Sequence, residues 1–158
     1  MASKVPPDLA IVELGSFKGK STSYLARGKA SVFAIDQWDS VSGNPIYNDS
    51  KTFKEFLEIT KGLNVTPLKG NTSEISKVWT RPIGLLFIDA GHGFDDVSQD
   101  YRSWSPFVRG FIAFHDYDPK CQDLKFNGVY KVVETILKPS GLWTDYEIVG
   151  SIFTARRK

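Results

Sequence analysis

Cysteine is nearly absent from the 158-residue chain; Cys121 stands alone, so no internal disulfide can form. Charge of one sign is scarce too. Twenty Lys and Arg against eighteen Asp and Glu leave a formal charge of +2, too small a field to hold nucleic acid or an anionic membrane by charge alone. No apolar run approaches the roughly 20 residues of a membrane-spanning helix, and no segment has the form of a signal peptide. Internal repeats and low-complexity tracts are lacking as well. These absences predict a cytoplasmic protein with neither a nucleic-acid nor a membrane partner. A chain of 158 residues, 41% hydrophobic, supports one core and is too short for two, so residues 1–158 read as a single domain.

What is present alternates between short apolar runs and helical patterns. Leu9 to Leu14 reads as a buried strand feeding a glycine turn at Gly15, residues 20–27 as a helix, and Ala30 to Asp36 as a second strand stopping at an acid. Gln37 to Asp49, rich in Gly, Pro, Asn and Ser, is a long loop and a candidate lid, and Ser50 can cap a helix running to Leu63. Asn64 to Leu68 is a third strand, and a short helix starting at Thr72 or Ser73 reaches Trp79. The run Ile83 to Ile88 is the most continuously apolar of the chain, the pattern of a central parallel strand covered on both faces. A helix from about Asp95, a fifth strand Phe111 to Phe114, and a helix from Asn127 to Leu137 follow; Trp79, Trp104 and Trp143 are assigned to packing. Tyr146 to Val149 and Ile152 to Ala155 flank the turn pair Gly150-Ser151. The fold predicted is α/β: a Rossmann-like, doubly wound, mostly parallel seven-stranded sheet with a C-terminal antiparallel hairpin.

In such sheets ligands bind beyond the carboxyl ends of the strands, so strand-end polar residues carry the functional information. Here they are Glu13, Asp36, Asn71, Asp89, His115 and Asp116. The first turn, Gly15 to Ser21, lets backbone approach a ligand closely. A P-loop places four residues between its glycines, and three separate Gly15 from Gly19. Glu13 at that turn would repel a triphosphate and suits a ligand bearing an ammonium and a sulfonium. A dinucleotide fingerprint is broken by Phe17 at its middle glycine. Asp36, 21 residues after Gly15, fits a ribose diol in either class of adenosine cofactor.

The ordered set Glu13-Leu-Gly-Ser-Phe-Lys-Gly-Lys-Ser21-Thr, Ala34-Ile-Asp-Gln-Trp38, Phe87-Ile-Asp-Ala-Gly-His92 and Ala113-Phe-His-Asp-Tyr117 resembles the class I S-adenosylmethionine-dependent methyltransferases. Within them it is most similar to the small-molecule O-methyltransferase branch with an IDGDHSY…D…W…HDY pattern. The resemblance runs from about Ile11 to Tyr117. It implies that Glu13, Gly15, Ser16, Phe17, Gly19 and Ser21 line the methionine part of S-adenosyl-L-methionine, that Asp36 takes the ribose hydroxyls, that Gln37 and Trp38 lie beside ribose or adenine, and that Asn71 and Thr72 reach the adenine edge; Asp89 borders the same cofactor. By similarity to the metal-dependent catechol O-methyltransferases, Asp89, His115 and Asp116 fall where a magnesium ion (Mg2+) is held, and His92 where those enzymes place a lysine base. Two departures are visible: Ala90-Gly91 stands in place of Gly-Asp, and His115 in place of an acid.

Methyl transfer to a hydroxyl needs the acceptor oxygen deprotonated and in line, which a base or a metal can provide. His92 in its Gly91-His92-Gly93 turn titrates near neutrality, and Asp89 and Asp116 suffice as magnesium anchors. The sequence thus points to an O-methyltransferase acting on a small-molecule acceptor, with Asp89 and His92 as catalytic residues. Two other readings stay open: a methyltransferase-fold module that holds the cofactor without turnover, and a P-loop-like nucleotide hydrolase. With eight residues before the first strand, closure over the substrate is expected from the 37–49 loop, the 117–126 loop or another subunit of a homo-oligomer.

Overall fold

Apolar runs that stop at a polar residue become the strands. In the computed structural model, which describes residues 1–38, 49–121 and 127–158, β1 (Ala10–Leu14), β2 (Val32–Asp36), β3 (Val65–Lys69), β4 (Ile83–Ile88) and β5 (Val108–Phe114) run parallel. β6 (Trp143–Val149) and β7 (Ile152–Arg157) complete the sheet as an antiparallel pair, and the strand order is β3-β2-β1-β4-β5-β7-β6. Connections between consecutive parallel strands carry α1 (Lys20–Leu25), α2 (Asp49–Thr60), α3 (Thr72–Ser76) and α4 (Phe94–Trp104). α5 (Gly128–Val132), prolonged by a π-helical turn Val133–Leu137, leads into β6. This is the doubly wound, Rossmann-like α/β sheet expected, hairpin included. Because the chain winds outward from β1 to β3 and then returns to place β4 on the other side of β1, the order reverses between β1 and β4, and ligands of such sheets sit at that reversal.

Side-chain alternation divides the core into two layers. Val12 and Leu14 face the larger one, with Leu86, Ile88, Ile112 and Phe114 under α4 and α5. Ile11 faces the smaller one, with Leu85, Phe87 and Ala113 under α1 and the N-terminal segment. All six residues of β4 are buried, as its unbroken apolar run requires. Trp104 fills the larger layer, its ring centroid 5.4 Å from that of Trp79, while the Trp143 indole N–H donates to the Tyr101 hydroxyl at 3.0 Å.

Boundaries depart from the sequence reading where the alternation is broken. β5 begins at Val108 rather than Phe111 because Gly110 packs onto β4, where a Cβ would fall 2.2 Å from the Gly84 carbonyl oxygen. β6 begins at Trp143 rather than Tyr146, across a register shift between Thr144 and Glu147 and a left-handed Asp145 at φ 53°. α2 starts at Asp49, which puts Ser50 inside the helix instead of at its cap. α3 is capped by Asn71, whose side-chain oxygen accepts from the Ser73 N–H at 2.9 Å. Most of the expected lid, residues 39–48, and residues 122–126 of the expected closing loop lie outside the described residues. No helix among the described residues is long and apolar enough to cross a membrane.

Trp104 is fully buried between two elements of the larger layer, so Trp104→Ala opens a cavity there. The expected loss is about 3–5 kcal/mol of unfolding free energy in a urea melt; a loss under about 1 kcal/mol would show that this layer collapses around the gap.

Candidate active site at the sheet reversal

Gly15 and Asp89 end the two strands that flank the reversal, and they touch. Gly15 is left-handed at φ 85°, and a Cβ on it would fall 2.2 Å from the Asp89 carbonyl oxygen, so only glycine brings the β1–α1 turn this close to the β4–α4 turn. Around the contact lies a cavity of about 560 Å³ lined by Gly15, Phe17, Ile35, Asp36, Gln37, Gly70, Asn71, Thr72, Asp89, Ala90, Gly91, His92, Asp96, Gln99 and Asp100. Seven of the residues expected to hold the cofactor therefore share one space: Gly15, Phe17, Asp36, Gln37, Asn71, Thr72 and Asp89.

Asp36 ties two loops together. One carboxylate oxygen accepts from the Phe17 N–H at 2.8 Å and the other from the Trp38 N–H at 2.9 Å. Phe17 and Trp38 are both left-handed, at φ 44° and 45°, and the Trp38 indole N–H donates to the Phe17 carbonyl at 2.7 Å. The Trp38 ring is 1% exposed, packed 4.8 Å from Phe53 and 4.7 Å from Phe56. Trp38 is thus packed against α2, from where it props the turn that carries Phe17, and it is not among the residues lining the first cavity. Gly19 lies outside that lining too, and a Cβ on it would meet the Phe56 and Thr60 side chains of α2.

Glu13 lies behind the turn, fully buried, with the Thr22 hydroxyl donating to its carboxylate. Burial holds its carboxyl above the usual range against the lowering effect of Ser21, Thr22 and Ser16, and nearby Asp89 adds to the rise. Ser16 and Ser21 line a second cavity of about 790 Å³, which shares Gly15, Phe17, Asp89, Ala90 and His92 with the first and adds His115 and Asp116.

The two histidines and two of the acids meet where these cavities join. His92 Nε2 is 2.8 Å from Asp116 Oδ2, and His115 Nδ1 is 3.2 Å from Asp89 Oδ1 and 3.0 Å from Asp116 Oδ1. Burial pushes the Asp89 carboxyl up to about 6, with Asp116 raising it further and His115 and His92 pulling it down. Asp116 reaches both imidazoles from a left-handed backbone at φ 55°. The chain is also pinned from below: Gly128 donates its N–H to the His92 carbonyl at 3.1 Å and packs so closely that a Cβ would lie 2.4 Å from that oxygen. The cluster with ligand atoms within 4.8 Å of one another is Asp89, His92 and Asp116. Of the three residues expected to hold a metal, Asp89 and Asp116 belong to this cluster, with His92 as its third member; His115 lies beside it, its Nδ1 near both carboxylates.

Sequence reasoning missed the α4 wall of the first cavity, formed by Asp96, Gln99 and Asp100. Asp100 accepts from the Thr72 hydroxyl at 2.5 Å and the Trp104 indole N–H donates to the Thr72 carbonyl at 3.2 Å, so two residues four apart on α4 grip the residue that opens α3. The signal was available in the D…W spacing of the resembled pattern, which Asp100 and Trp104 reproduce.

A family model described as a methyltransferase domain matches residues 12–117, the segment that carries all of this geometry except α5. The chain belongs to the methyltransferase-domain family. An uncharacterized protein of Acanthamoeba polyphaga mimivirus is 28% identical over 155 residues, covering 90% of this chain and 67% of that protein. Among solved structures, a Clostridium thermocellum protein described as an rRNA methylase superposes with a TM-score of 0.71 at 15% identity over 98% of this chain and 91% of its own. An O-methyltransferase from Bacillus cereus, solved with SAH, gives 0.68 at 20% identity over 94% and 74%. A TDP-rhamnose 3′-O-methyltransferase of calicheamicin biosynthesis gives 0.67 at 15% over 98% and 74%. At such identities the structural likeness establishes the methyltransferase fold.

Burial pushes Asp100 up to about 6 from its ordinary 3.8, the Thr72 bond opposing and Asp96 adding to the rise. A pKa raised by folding contributes stability that is present below the unfolded value and lost as pH climbs through the folded one. Between pH 4 and 7 the wild type should therefore lose stability relative to Asp100→Asn in urea melts; parallel curves for the two proteins would place Asp100 in a solvated setting.

Proposed function

We propose that the chain transfers a methyl group from S-adenosyl-L-methionine to a hydroxyl of a small molecule, with His92 as the base. The observation that carries this is the 2.8 Å pair of His92 Nε2 and Asp116 Oδ2 at the junction of the two cavities, one of which holds the expected cofactor residues and the other of which is open for an acceptor. The cofactor supplies a methyl carbon made electrophilic by its sulfonium. With Nε2–H donating to Asp116, the acceptor O–H gives its proton to His92 Nδ1, the oxygen lone pair forms the new bond to carbon, and the carbon–sulfur pair departs with sulfur. Asp116 orients the imidazole and stabilises the imidazolium that results.

The first cavity supports the cofactor reading residue by residue. The Asp36 carboxylate, held by two backbone N–H groups, keeps lone pairs for a ribose diol. Thr72, gripped by α4, and Asn71, which caps α3, stand with Gln37 and Asp100 in the same cavity for a base edge. The three residues between Gly15 and Gly19, one fewer than a P-loop needs, speak against the nucleotide-hydrolase alternative. Bound SAH in the Bacillus cereus neighbour points the same way. With a net charge of +2, a small acceptor fits better than a nucleic acid or a membrane surface.

A second reading rests on the Asp89, His92 and Asp116 cluster. These residues would hold a divalent cation, which would relieve the repulsion between the carboxylates and lower the pKa of an acceptor hydroxyl. Two carboxylates suit magnesium, and the imidazole shifts the set toward manganese or zinc. His92 cannot use Nε2 both as ligand and against Asp116, so the two readings exclude each other in one turnover.

Calorimetry should show S-adenosylmethionine or SAH binding and no binding of ATP or NAD. Asp36→Ala should cost roughly 1–3 kcal/mol of that affinity, as expected for lost charge-assisted hydrogen bonds. Tight ATP binding without a response to SAH would refute the assignment. On a panel of phenols, catechols and sugar alcohols, His92→Ala should lower turnover by roughly 10²–10⁴-fold, with activity indifferent to chelators. Activity abolished by a chelator and restored by manganese would instead favour the metal, and cofactor binding without turnover of any acceptor would leave a binding module.

A further inference from the structure

We infer that the acceptor is an apolar alcohol or phenol whose body lies between α1 and the sheet, an inference that rests on the methyltransferase reading above. The second cavity, at about 790 Å³, is larger than the cofactor cavity and runs from the His92–Asp116 pair down the face of the smaller core layer. Beyond the pair, its apolar walls include Leu25 of α1, Leu85 and Phe87 of β4, Ala113 of β5 and Ile152 of β7, with Met1, Ala2 and Tyr24 closing the α1 side. Phe87 and Ala113 stand opposite each other in the β4–β5 register, so the apolar surface is continuous from one strand to the next.

This wall has little to offer a polar ligand. β4 is hydrogen-bonded to β1 on one side and to β5 on the other, so its amides and carbonyls are committed to the sheet. Apart from the acids and histidines at the pair and the Tyr24 hydroxyl on α1, the polar side chains at the cavity, Ser16, Lys18, Lys20 and Ser21, come from the β1–α1 turn and the first turn of α1, on the cofactor's side. Lys18 is already paired with Glu55 at 2.8 Å. A molecule with one hydroxyl at the His92 end and a hydrocarbon body satisfies both ends of the space, whereas a polyol would shed water from several hydroxyls with nothing to replace it. A third cavity, of about 570 Å³, also reaches His92 and Asp116 and is bordered by Asp118, Lys120 and Ser151. A sugar would choose that side, which makes the two acceptor classes separable by where substitutions act.

The test is ligand-observed NMR on the full chain saturated with SAH, with 2-naphthol and methyl α-glucoside as probes. The expected result is that naphthol binds and the glucoside does not. Ile152→Lys and, as a second variant on a different element, Leu25→Lys should each weaken naphthol binding at least tenfold while SAH affinity stays within threefold of wild type. Val149→Lys, on an exposed strand end outside the cavity, should leave naphthol binding unchanged. Glucoside binding in preference to naphthol, no naphthol binding to the SAH-loaded protein, or naphthol binding that survives both cavity variants would each overturn the inference while leaving the methyltransferase reading standing. Failure of SAH itself to bind would instead remove that reading and the inference with it.

Discussion

The site depends on one steric fact, the absence of a side chain at Gly15. With a Cβ in that position 2.2 Å from the Asp89 carbonyl, the β1–α1 and β4–α4 turns could not touch. Their contact is what sets the Phe17–Asp36 loop clip on one side of the sheet reversal and the Asp89–His92 segment on the other. The clip is itself redundant: Asp36 holds two backbone N–H groups, the Trp38 indole holds the Phe17 carbonyl, and the Lys18–Glu55 ion pair joins the same turn to α2. Two left-handed non-glycine residues persist there because hydrogen bonds on both sides determine the backbone.

Three acids pay for this concentration of function. Glu13, Asp89 and Asp100 are each pushed above the usual carboxylate range with burial as the largest cause, and each is partly offset by a hydroxyl or an imidazole: Thr22, His115 and Thr72 respectively. Asp89 and Asp100 line the first cavity itself, and Glu13 lies behind the turn that borders it. Glu13 and Asp89 interact across the turn, each disfavouring the other's charge, whereas Asp100 lines the first cavity from α4.

How much of this was readable beforehand follows from range. Strand ends are local events, an apolar run meeting an acid, so Asp36, Asp89 and Asp116 were found where they stand, and the order of elements with the closing hairpin followed from periodicity. The packing of Trp38 was not readable, because the sequence shows an aromatic after a strand-end acid but not that α2 lies against it with Phe53 and Phe56. The first residues of β5 and β6 were missed because Gly110 and Asp145 break the alternation for tertiary reasons, a close strand contact and a bulge. Asp100 was overlooked for a different reason. Its four-residue spacing to Trp104 reads as ordinary helix packing until α3 is seen to hang from both side chains.

His92 and His115 show the limit most clearly. His115 directly precedes Asp116 and His92 follows Asp89 by three residues, and it is the resemblance that marks His115 as a metal ligand and His92 as the base. The backbone of Asp116 draws both rings to one carboxylate. Aspartate tolerates the left-handed region better than most residues, and at φ 55° Asp116 aims one oxygen at His92 and the other at His115. His115 Nδ1 lies 3.2 Å from Asp89 and 3.0 Å from Asp116, while His92 pairs with Asp116 and lines both the first and the second cavity. A group that takes a proton from an acceptor in one cavity while the methyl donor occupies the other must border both. Among the two histidines of the chain, His92 meets that condition, and the left-handed turn at Asp116 is the device that holds its ring there.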